Sequence, residues 1–155
     1  KKLSKWGHEV ILFCPDYSSL KADYPNWQDY TGDILPGVKV INLASNSFVG
    51  LDYEPNVKRN SYQTVLKTLA EFQPDIIHVD EPERLYVGFW RLAGVSYAKK
   101  VGIPCVSFFR TNFLDYLGDY FPLPQPILAL IKFLLKQLIV WVYNFYDFNF
   151  RKKFV

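Results

Sequence analysis

Two short polar segments, each placed directly after an apolar run, carry the residue types that could do chemistry. Asp80 and Glu81 follow the run Asp75–Val79, and Arg110–Asn112 follows the run Pro104–Phe109. Carboxylates orient or deprotonate hydroxyl groups. An arginine holds phosphate or carboxylate groups but cannot act as an acid or base near neutral pH. The first segment therefore has the chemistry of a hydroxyl-binding site, and the second that of an anion-binding site.

Helix-length segments precede both runs, so the chain alternates between strands and helices. This alternation predicts a parallel sheet, and ligands of such sheets bind beyond the carboxyl ends of the strands. We therefore expect Asp80, Glu81 and Arg110–Asn112 to face the same cleft. The alternative for the two carboxylates is a solvated turn before a helix, whose positive end favours Asp and Glu. His78, inside an apolar run, is expected to be a buried, hydrogen-bonded residue.

Apolar runs bounded by proline and glycine predict the other elements of the fold. The predicted strands are Glu9–Cys14, Val38–Leu43, Asp75–Val79 and Pro104–Phe109. The predicted helices are one with an apolar face made by Tyr62, Val65, Leu66, Leu69 and Phe72, a second over Glu83–Val101, and a third over Pro126–Tyr146. Loops are predicted over Asp16–Pro36 and Asn112–Pro126, with a turn over Ala44–Ser47.

This order of elements predicts an α/β fold, with a Rossmann-like parallel sheet and flanking helices. The first residues read as the end of a helix, because lysines suit a helix C-terminus and Gly7 suits the position after it. A parallel unit opens with a strand before its first helix. We therefore expect an incomplete sheet whose first strand is missing, and we interpret residues 1–155 as a single partial domain.

Composition argues against several classes of partner and cofactor. The formal net charge is +3, and no basic stripe with interleaved aromatic residues is present, so a nucleic-acid partner is not expected. Cys14 and Cys105 lie inside strand-like runs and have no CxxC or Cys/His neighbours. We expect them to be buried small hydrophobic residues, and we expect no metal site.

Several sequence segments, taken in order, carry a resemblance to a known family. They are Leu3-Ser4-Lys5-Trp6-Gly7-His8-Glu9-Val10, Phe72-Gln73-Pro74-Asp75-Ile76-Ile77-His78, Tyr97-Ala98-Lys99-Lys100-Val101-Gly102-Ile103-Pro104, and Phe109-Arg110-Thr111-Asn112-Phe113 with Tyr116 and Tyr120. Together they resemble the N-terminal domain of the family 4 glycosyltransferases, which have the two-domain GT-B fold. The resemblance covers about residues 3–147.

The resemblance implies a retaining enzyme that transfers a hexose from a nucleotide-sugar to a lipid or glycan acceptor. In this family the N-terminal domain mainly binds the acceptor, and the C-terminal domain binds the donor nucleotide. The donor-binding domain is expected to be absent from residues 1–155, so this fragment alone is expected to be inactive. The resemblance implies no metal and no cofactor, and it places the parent enzyme in the cytoplasm, peripheral at the inner face of the membrane.

The resemblance also suggests roles for single residues. Where the family carries a histidine before a threonine, this chain has Arg110, which we expect to stabilise the leaving phosphate or to bind an anionic acceptor. Asp80 and Glu81 are the other candidate catalytic residues. Thr111 and Asn112 are candidate substrate-binding residues, with a helix cap or turn as the alternative. Two further candidates, for which packing is the alternative to stacking on a sugar, are Tyr116 and Tyr120.

The apolar segment Pro126–Tyr146 approaches the length of about 20 residues that spans a bilayer. Lys132 and Lys136 interrupt it, one turn apart on the same side, which disfavours spanning. Two interpretations stay open: a helix on the membrane surface, with the lysines toward anionic headgroups, and a core helix with snorkelling lysines. Membrane contact would fit a lipid acceptor.

Two alternatives to a glycosyltransferase also stay open at the level of sequence. The first is a non-enzymatic remnant that binds a membrane or a protein partner. The second is another Rossmann-like nucleotide-sugar enzyme, such as an epimerase. That enzyme would need a GxGxxG loop opening its first unit.

Overall fold

The computed structural model describes residues 1–18, 25–48, 51–82, 85, 91–108 and 113–145. These residues form two compact units, one made by the residues up to Phe72 and the other by those from Gln73 onward. The chain starts with a short helix, α1 (Lys2–Lys5), which Gly7 ends at a φ of 82°. The predicted helix end and its glycine are therefore confirmed.

The first unit is built on a sheet in the order β1-β3-β2. β1 (Val10–Pro15) pairs in parallel with β3 (Val38–Leu43), and Val10 lies opposite Val38. β2 (Gly32–Leu35) pairs with the other edge of β3 in the antiparallel direction. The predicted strands over Glu9–Cys14 and Val38–Leu43 are confirmed, with a one-residue shift in the first.

The prediction of a loop over Asp16–Pro36 was wrong in its second half. That half contains a 3-10 helix (Trp27–Tyr30) and strand β2. β2 forms because Pro36 and Gly37 make a tight hairpin turn into β3, in which Gly37 has a φ of 70°. The Pro-Gly pair was the signal for this strand in the sequence.

The prediction of a turn over Ala44–Ser47 was also wrong. β4 (Ser45–Phe48) and β5 (Leu51–Val57) form an antiparallel pair, with Ser45 opposite Val57. Ser and Asn have low strand propensity, so the sequence of β4 gave no strand signal. The backbone hydrogen bonds of its partner strand override that propensity.

Helix α2 (Ser61–Phe72) completes the first unit. Its buried residues Ser61, Val65 and Leu69 lie on the predicted apolar face, with Tyr62, Leu66 and Phe72 half-buried beside them. The buried Ser61 hydroxyl donates a hydrogen bond to the Ala44 carbonyl oxygen at 3.1 Å. Among the described residues of this unit, the buried apolar ones are Val38, Val40, Leu43, Pro55, Val57, Val65 and Leu69.

The second unit contains a parallel pair of strands covered by a helix. β6 (Ile77–Asp80) pairs with β7 (Cys105–Phe108), from Ile77 opposite Cys105 to Asp80 opposite Phe108. Helix α3 (Ala93–Val101) packs on both strands. It ends at Gly102, whose φ is 79° and whose N–H bonds the Ala98 carbonyl oxygen at 2.8 Å. Both predicted strands are confirmed. The predicted helix Glu83–Val101 is confirmed from Ala93 onward, but it was wrong at Arg91 and Leu92, where the backbone is not helical and Leu92 is extended.

Two helices follow β7 in the chain. α4 (Phe113–Tyr120) lies where a loop was predicted, and it packs against α5 (Gln125–Phe145). The loop prediction was wrong for this stretch. It gave more weight to the Tyr, Asp and Pro residues than to a short apolar face, which includes the buried residue Leu117. The prediction of α5 is confirmed. None of the described helices combines the length and apolar character that crossing a membrane requires.

The fold class is therefore confirmed in part. The described residues form a mixed α/β structure of small sheets with flanking helices. The pairs β1–β3 and β6–β7 are parallel, as predicted, whereas β2–β3 and β4–β5 are antiparallel. One strand of each antiparallel pair, β2 and β4, lies in a segment where the sequence predicted irregular structure.

The contact between α3 and β6 gives a test of this packing. A Cβ atom at Gly94 would lie 3.0 Å from Ile77 Cγ2 and 3.3 Å from Val79 Cγ2. We expect Gly94→Val to lower the free energy of unfolding by about 1–3 kcal/mol through overpacking, as measured by urea denaturation. Gly118→Ala is the control, because among the described residues its Cβ would meet the flexible end of Leu128, at 3.1 Å. Equal effects of the two substitutions would contradict the close packing at Gly94.

Candidate functional site

The structure places Asp80 and Glu81 at the carboxyl edge of the parallel pair β6–β7. Asp80 is the last residue of β6 and lies opposite Phe108, the last residue of β7. Its side chain is half-buried, and its Oδ1 atom is shielded from solvent. Glu81, the next residue, is also half-buried. Two adjacent carboxylates therefore stand at the edge where parallel sheets bind their ligands.

The backbone of Glu81 adopts a left-handed conformation that is unusual for its residue type. Its φ is 46°, although the residue before a proline prefers extended backbone. Pro82 is among the most deeply buried residues, and the Glu81 carbonyl oxygen accepts a hydrogen bond from Leu85 N–H at 3.2 Å. These contacts hold a sharp turn directly after the strand. Backbone strain of this kind, costing about 1–3 kcal/mol, clusters at functional sites.

Gln73 offers a comparison, because it also precedes a proline and has a φ of 50°. It directly follows α2, and a left-handed residue is the common way to end a helix. Its conformation thus has an ordinary structural cause. Glu81 follows a strand instead, so helix termination does not explain its left-handed turn.

The other predicted site residues are described only in part. Arg110, Thr111 and Asn112 lie outside the described residues; in sequence they follow β7 closely. The backbone of Tyr116 and Tyr120 lies in α4. The structure therefore describes two members of the predicted cluster, Asp80 and Glu81, which it places side by side.

The predicted membrane-contact lysines lie in α5, away from these carboxylates in sequence. Lys132 is half-buried and Lys136 is exposed. His78, predicted to be buried, is exposed within β6. The alternation of side chains along the strand explains this correction, since the neighbours Ile77 and Val79 occupy the buried face.

Asp16 is a functional candidate that the sequence reasoning missed. It directly follows β1, so it stands at the carboxyl edge of the parallel pair β1–β3. Its N–H group bonds Ser45 Oγ at 3.0 Å and the Leu43 carbonyl oxygen at 2.9 Å, and its Oδ1 atom accepts a bond from Ser18 N–H at 2.9 Å. The signal available was an aspartate at the end of an apolar strand, as at Asp80.

An open cleft at the opposite edge of the first sheet has a different character. It lies at the amino ends of β1 and β3, with Glu9, Asp33 and Lys39 among its lining residues. Parallel sheets bind ligands at the carboxyl edge rather than at this one. We therefore do not assign it a role.

The two cysteines are poorly suited to nucleophilic chemistry. Cys14 lies in β1 and Cys105 in β7, and both are half-buried. Burial raises the pKa of the Cys14 thiol, and it raises the pKa of Cys105 to about 11. Within the part of the chain that the structure describes, no group of three or more His, Cys, Asp or Glu side chains is arranged to hold a metal ion.

The reactivity of Cys105 tests its burial. A pKa of about 11 in place of 9.0 lowers the thiolate fraction at pH 8 by about 100-fold. We expect the Cys14→Ala variant, whose remaining thiol is Cys105, to react with iodoacetamide at least about 100-fold more slowly when native than in urea. The native rate should keep rising with pH up to about 11. A native rate that levels off near pH 9 would contradict the burial.

Substitutions at Glu81 test the left-handed turn. We expect Glu81→Gly to raise the free energy of unfolding by about 0.5–1 kcal/mol, because glycine adopts positive φ without steric strain. Glu81→Val should lower it by about 1–2 kcal/mol, since a β-branched side chain suits this region least. Urea denaturation gives both values, and the same pair of substitutions at Gln73 is the matched control. If Glu81→Gly lowers the free energy of unfolding more than Glu81→Val does, the left-handed conformation of Glu81 is contradicted.

Comparison with known proteins places this sequence in a family. The chain is 29% identical over 119 residues to a GDP-mannose-dependent alpha-mannosyltransferase of Mycolicibacterium smegmatis. It is 25% identical over 118 residues to a protein of the same description from Mycobacterium tuberculosis. Each match covers 76% of this chain and 28% of the relative. No solved structure gives a significant match. Residues 1–148 match the family model for Glycosyltransferase Family 4, and the chain belongs to this family.

Proposed function

We propose that this chain forms the acceptor-binding side of a retaining glycosyltransferase that transfers mannose from GDP-mannose to a lipid or glycan acceptor. Membership of the family supports sugar transfer. The two matched relatives, both described as GDP-mannose-dependent alpha-mannosyltransferases, support the donor and the sugar. Because the matches span 28% of each relative, the whole reaction is a property of the full-length enzyme.

The observation that carries this proposal is the pair of carboxylates at the carboxyl edge of β6–β7. Asp80 is half-buried at the strand end, and Glu81 is held next to it in a strained turn. A fixed carboxylate accepts a hydrogen bond from an acceptor hydroxyl group and orients its oxygen for attack. We assign this role to Asp80, with Glu81 as the second acceptor-binding carboxylate.

Arg110 is proposed as the residue that binds a negatively charged group of the substrates. By its position in sequence it follows β7, whose last residue Phe108 pairs with Asp80. A guanidinium keeps its charge at all accessible pH values and forms paired hydrogen bonds to phosphate oxygens. In this proposal it stabilises the GDP leaving group, or it binds an anionic acceptor. Thr111, Asn112, Tyr116 and Tyr120 complete the proposed substrate-binding set.

The donor nucleotide is proposed to bind to a further domain, as the family resemblance implies. Residues 1–155 alone, as one partial domain, should then bind the acceptor without transferring sugar to it. The enzyme is proposed to act in the cytoplasm at the inner face of the membrane, where a lipid acceptor would be presented. The reaction needs no metal or cofactor in this proposal.

Conservative substitutions in the full-length enzyme test the carboxylate pair. We expect Asp80→Asn to lower kcat for mannosyl transfer by about 100-fold or more, because an amide orients a hydroxyl group poorly and cannot accept its proton. Glu81→Gln should raise KM for the acceptor. KM for GDP-mannose should change by less than about threefold in both variants, since the donor binds elsewhere. Transfer is measured with radiolabelled GDP-mannose and extracted membrane lipids.

Asp75→Asn is the matched control, because Asp75 is an exposed carboxylate just before the amino end of the same strand. It should retain the activity of the unaltered enzyme. If Asp80→Asn keeps full activity, or if its loss is matched by Asp75→Asn, the carboxyl edge of β6 is not the acceptor site.

A further inference from the structure

Helix α5 exposes more large apolar side chains than any other described element. Among the described residues, fifteen large apolar side chains are exposed, and seven of these belong to α5. Leu130 and Phe133 each expose 58% of their surface. Exposed apolar surface concentrated in this way marks an interaction site. We call these seven residues the outer arc: Ile127, Leu130, Phe133, Leu134, Leu138, Val140 and Trp141.

The outer arc occupies one side of the helix. At 100° per residue its members span about 160° of the circumference. The opposite side packs inward: Leu128 is buried, and Ile131, Leu135 and Ile139 are half-buried. Gln137 is a polar residue within the arc. The interpretation of α5 as a core helix therefore holds for its packed side. It does not account for the exposed outer arc.

Positive charge lies along one border of the outer arc. Lys132 and Lys136, one turn apart, stand between the arc and the packed side, with Lys136 exposed and Lys132 half-buried. No Asp or Glu occurs anywhere in Gln125–Phe145. An apolar face with lysines at its border is the pattern of helices that lie in a bilayer interface. There the lysines reach the headgroups while their stems cover apolar surface.

We propose that the outer arc of α5 binds the surface of an anionic lipid bilayer, with the helix axis parallel to the membrane plane. Charge complementarity favours this occupant, because anionic headgroups neutralise the exposed Lys136. A second copy of the chain would instead bring another basic, acid-free helix against this one. The proposal rests on the surface of α5 and is independent of the sugar that the enzyme transfers.

Vesicle co-sedimentation of the full chain tests the proposal. The vesicles contain phosphatidylcholine alone or phosphatidylcholine mixed with phosphatidylglycerol. We expect tighter binding to the anionic vesicles, and we expect this preference to weaken as salt is added. Equal partition into both kinds of vesicle, or no sedimentation with either, would overturn the proposal.

Paired substitutions separate the outer arc from other exposed apolar surface. We expect Leu130→Gln combined with Leu134→Gln to lower the partition coefficient by about tenfold or more. Ile76→Gln is the matched control, because Ile76 is also 58% exposed but lies outside α5. Since all three side chains are exposed, thermal melting should be nearly unchanged. An equal loss in the control would overturn the role of the arc.

A second pair of substitutions tests the charge. We expect Lys136→Glu to weaken binding to anionic vesicles by at least about fivefold and to leave binding to neutral vesicles nearly unchanged. Lys67→Glu is the control, because Lys67 is an exposed lysine of α2 and the net charge changes equally. If the two variants weaken binding equally, the preference for anionic vesicles depends on the net charge of the chain alone. That result would contradict a role for the lysines at the border of the arc.

The fluorescence of Trp141 reports how deeply the outer arc enters the bilayer, because Trp141 belongs to the arc and is 48% exposed. Lipids brominated on their acyl chains should quench its fluorescence, and the quenched signal should disappear in Trp141→Phe. If Trp141 stays unquenched, or if the Leu130 and Leu134 substitutions instead convert a dimer to a monomer in light scattering, the arc contacts protein rather than lipid.

Discussion

The parallel pairing of β6 with β7 is the constraint on which the candidate site depends. Its register runs from Ile77 opposite Cys105 to Asp80 opposite Phe108, so both strands end at the same level. A shift of one residue would move the Ile77 and Val79 side chains from the covered face to the opposite face. The buried state of these two residues under α3 therefore fixes the register, and the register fixes where Asp80 stands.

Close packing and local strain then act together at this edge. Gly94 lets α3 approach Ile77 and Val79 closely, and the burial of Pro82 holds Glu81 at a φ of 46°. The close packing under the strand and the strained turn after it together set the backbone positions of the two carboxylates. Such preorganisation is what a site that orients an acceptor hydroxyl requires.

Much of this arrangement is readable from the sequence, for identifiable physical reasons. β1, β3, β6, β7 and α5 are apolar runs bounded by proline, glycine or charge, so pattern and breaker residues agree. β2 and β4 were missed because a hairpin partner, rather than strand propensity, makes them strands. α4 was missed because the Tyr and Asp residues of this segment, and the prolines that follow it, favour a loop in isolation. The left-handed turn at Glu81 could not be predicted from the sequence, since a residue before proline is expected to be extended.

The central proposal is that the full-length enzyme transfers mannose from GDP-mannose with retention of configuration. The most direct test is the anomeric configuration of the product that the full-length enzyme makes from GDP-mannose, determined by NMR. The mannose of GDP-mannose is α-linked, so we expect an α-mannoside. A β-mannoside would contradict retention, and failure to use GDP-mannose with any lipid or glycan extract would contradict the proposed donor and reaction.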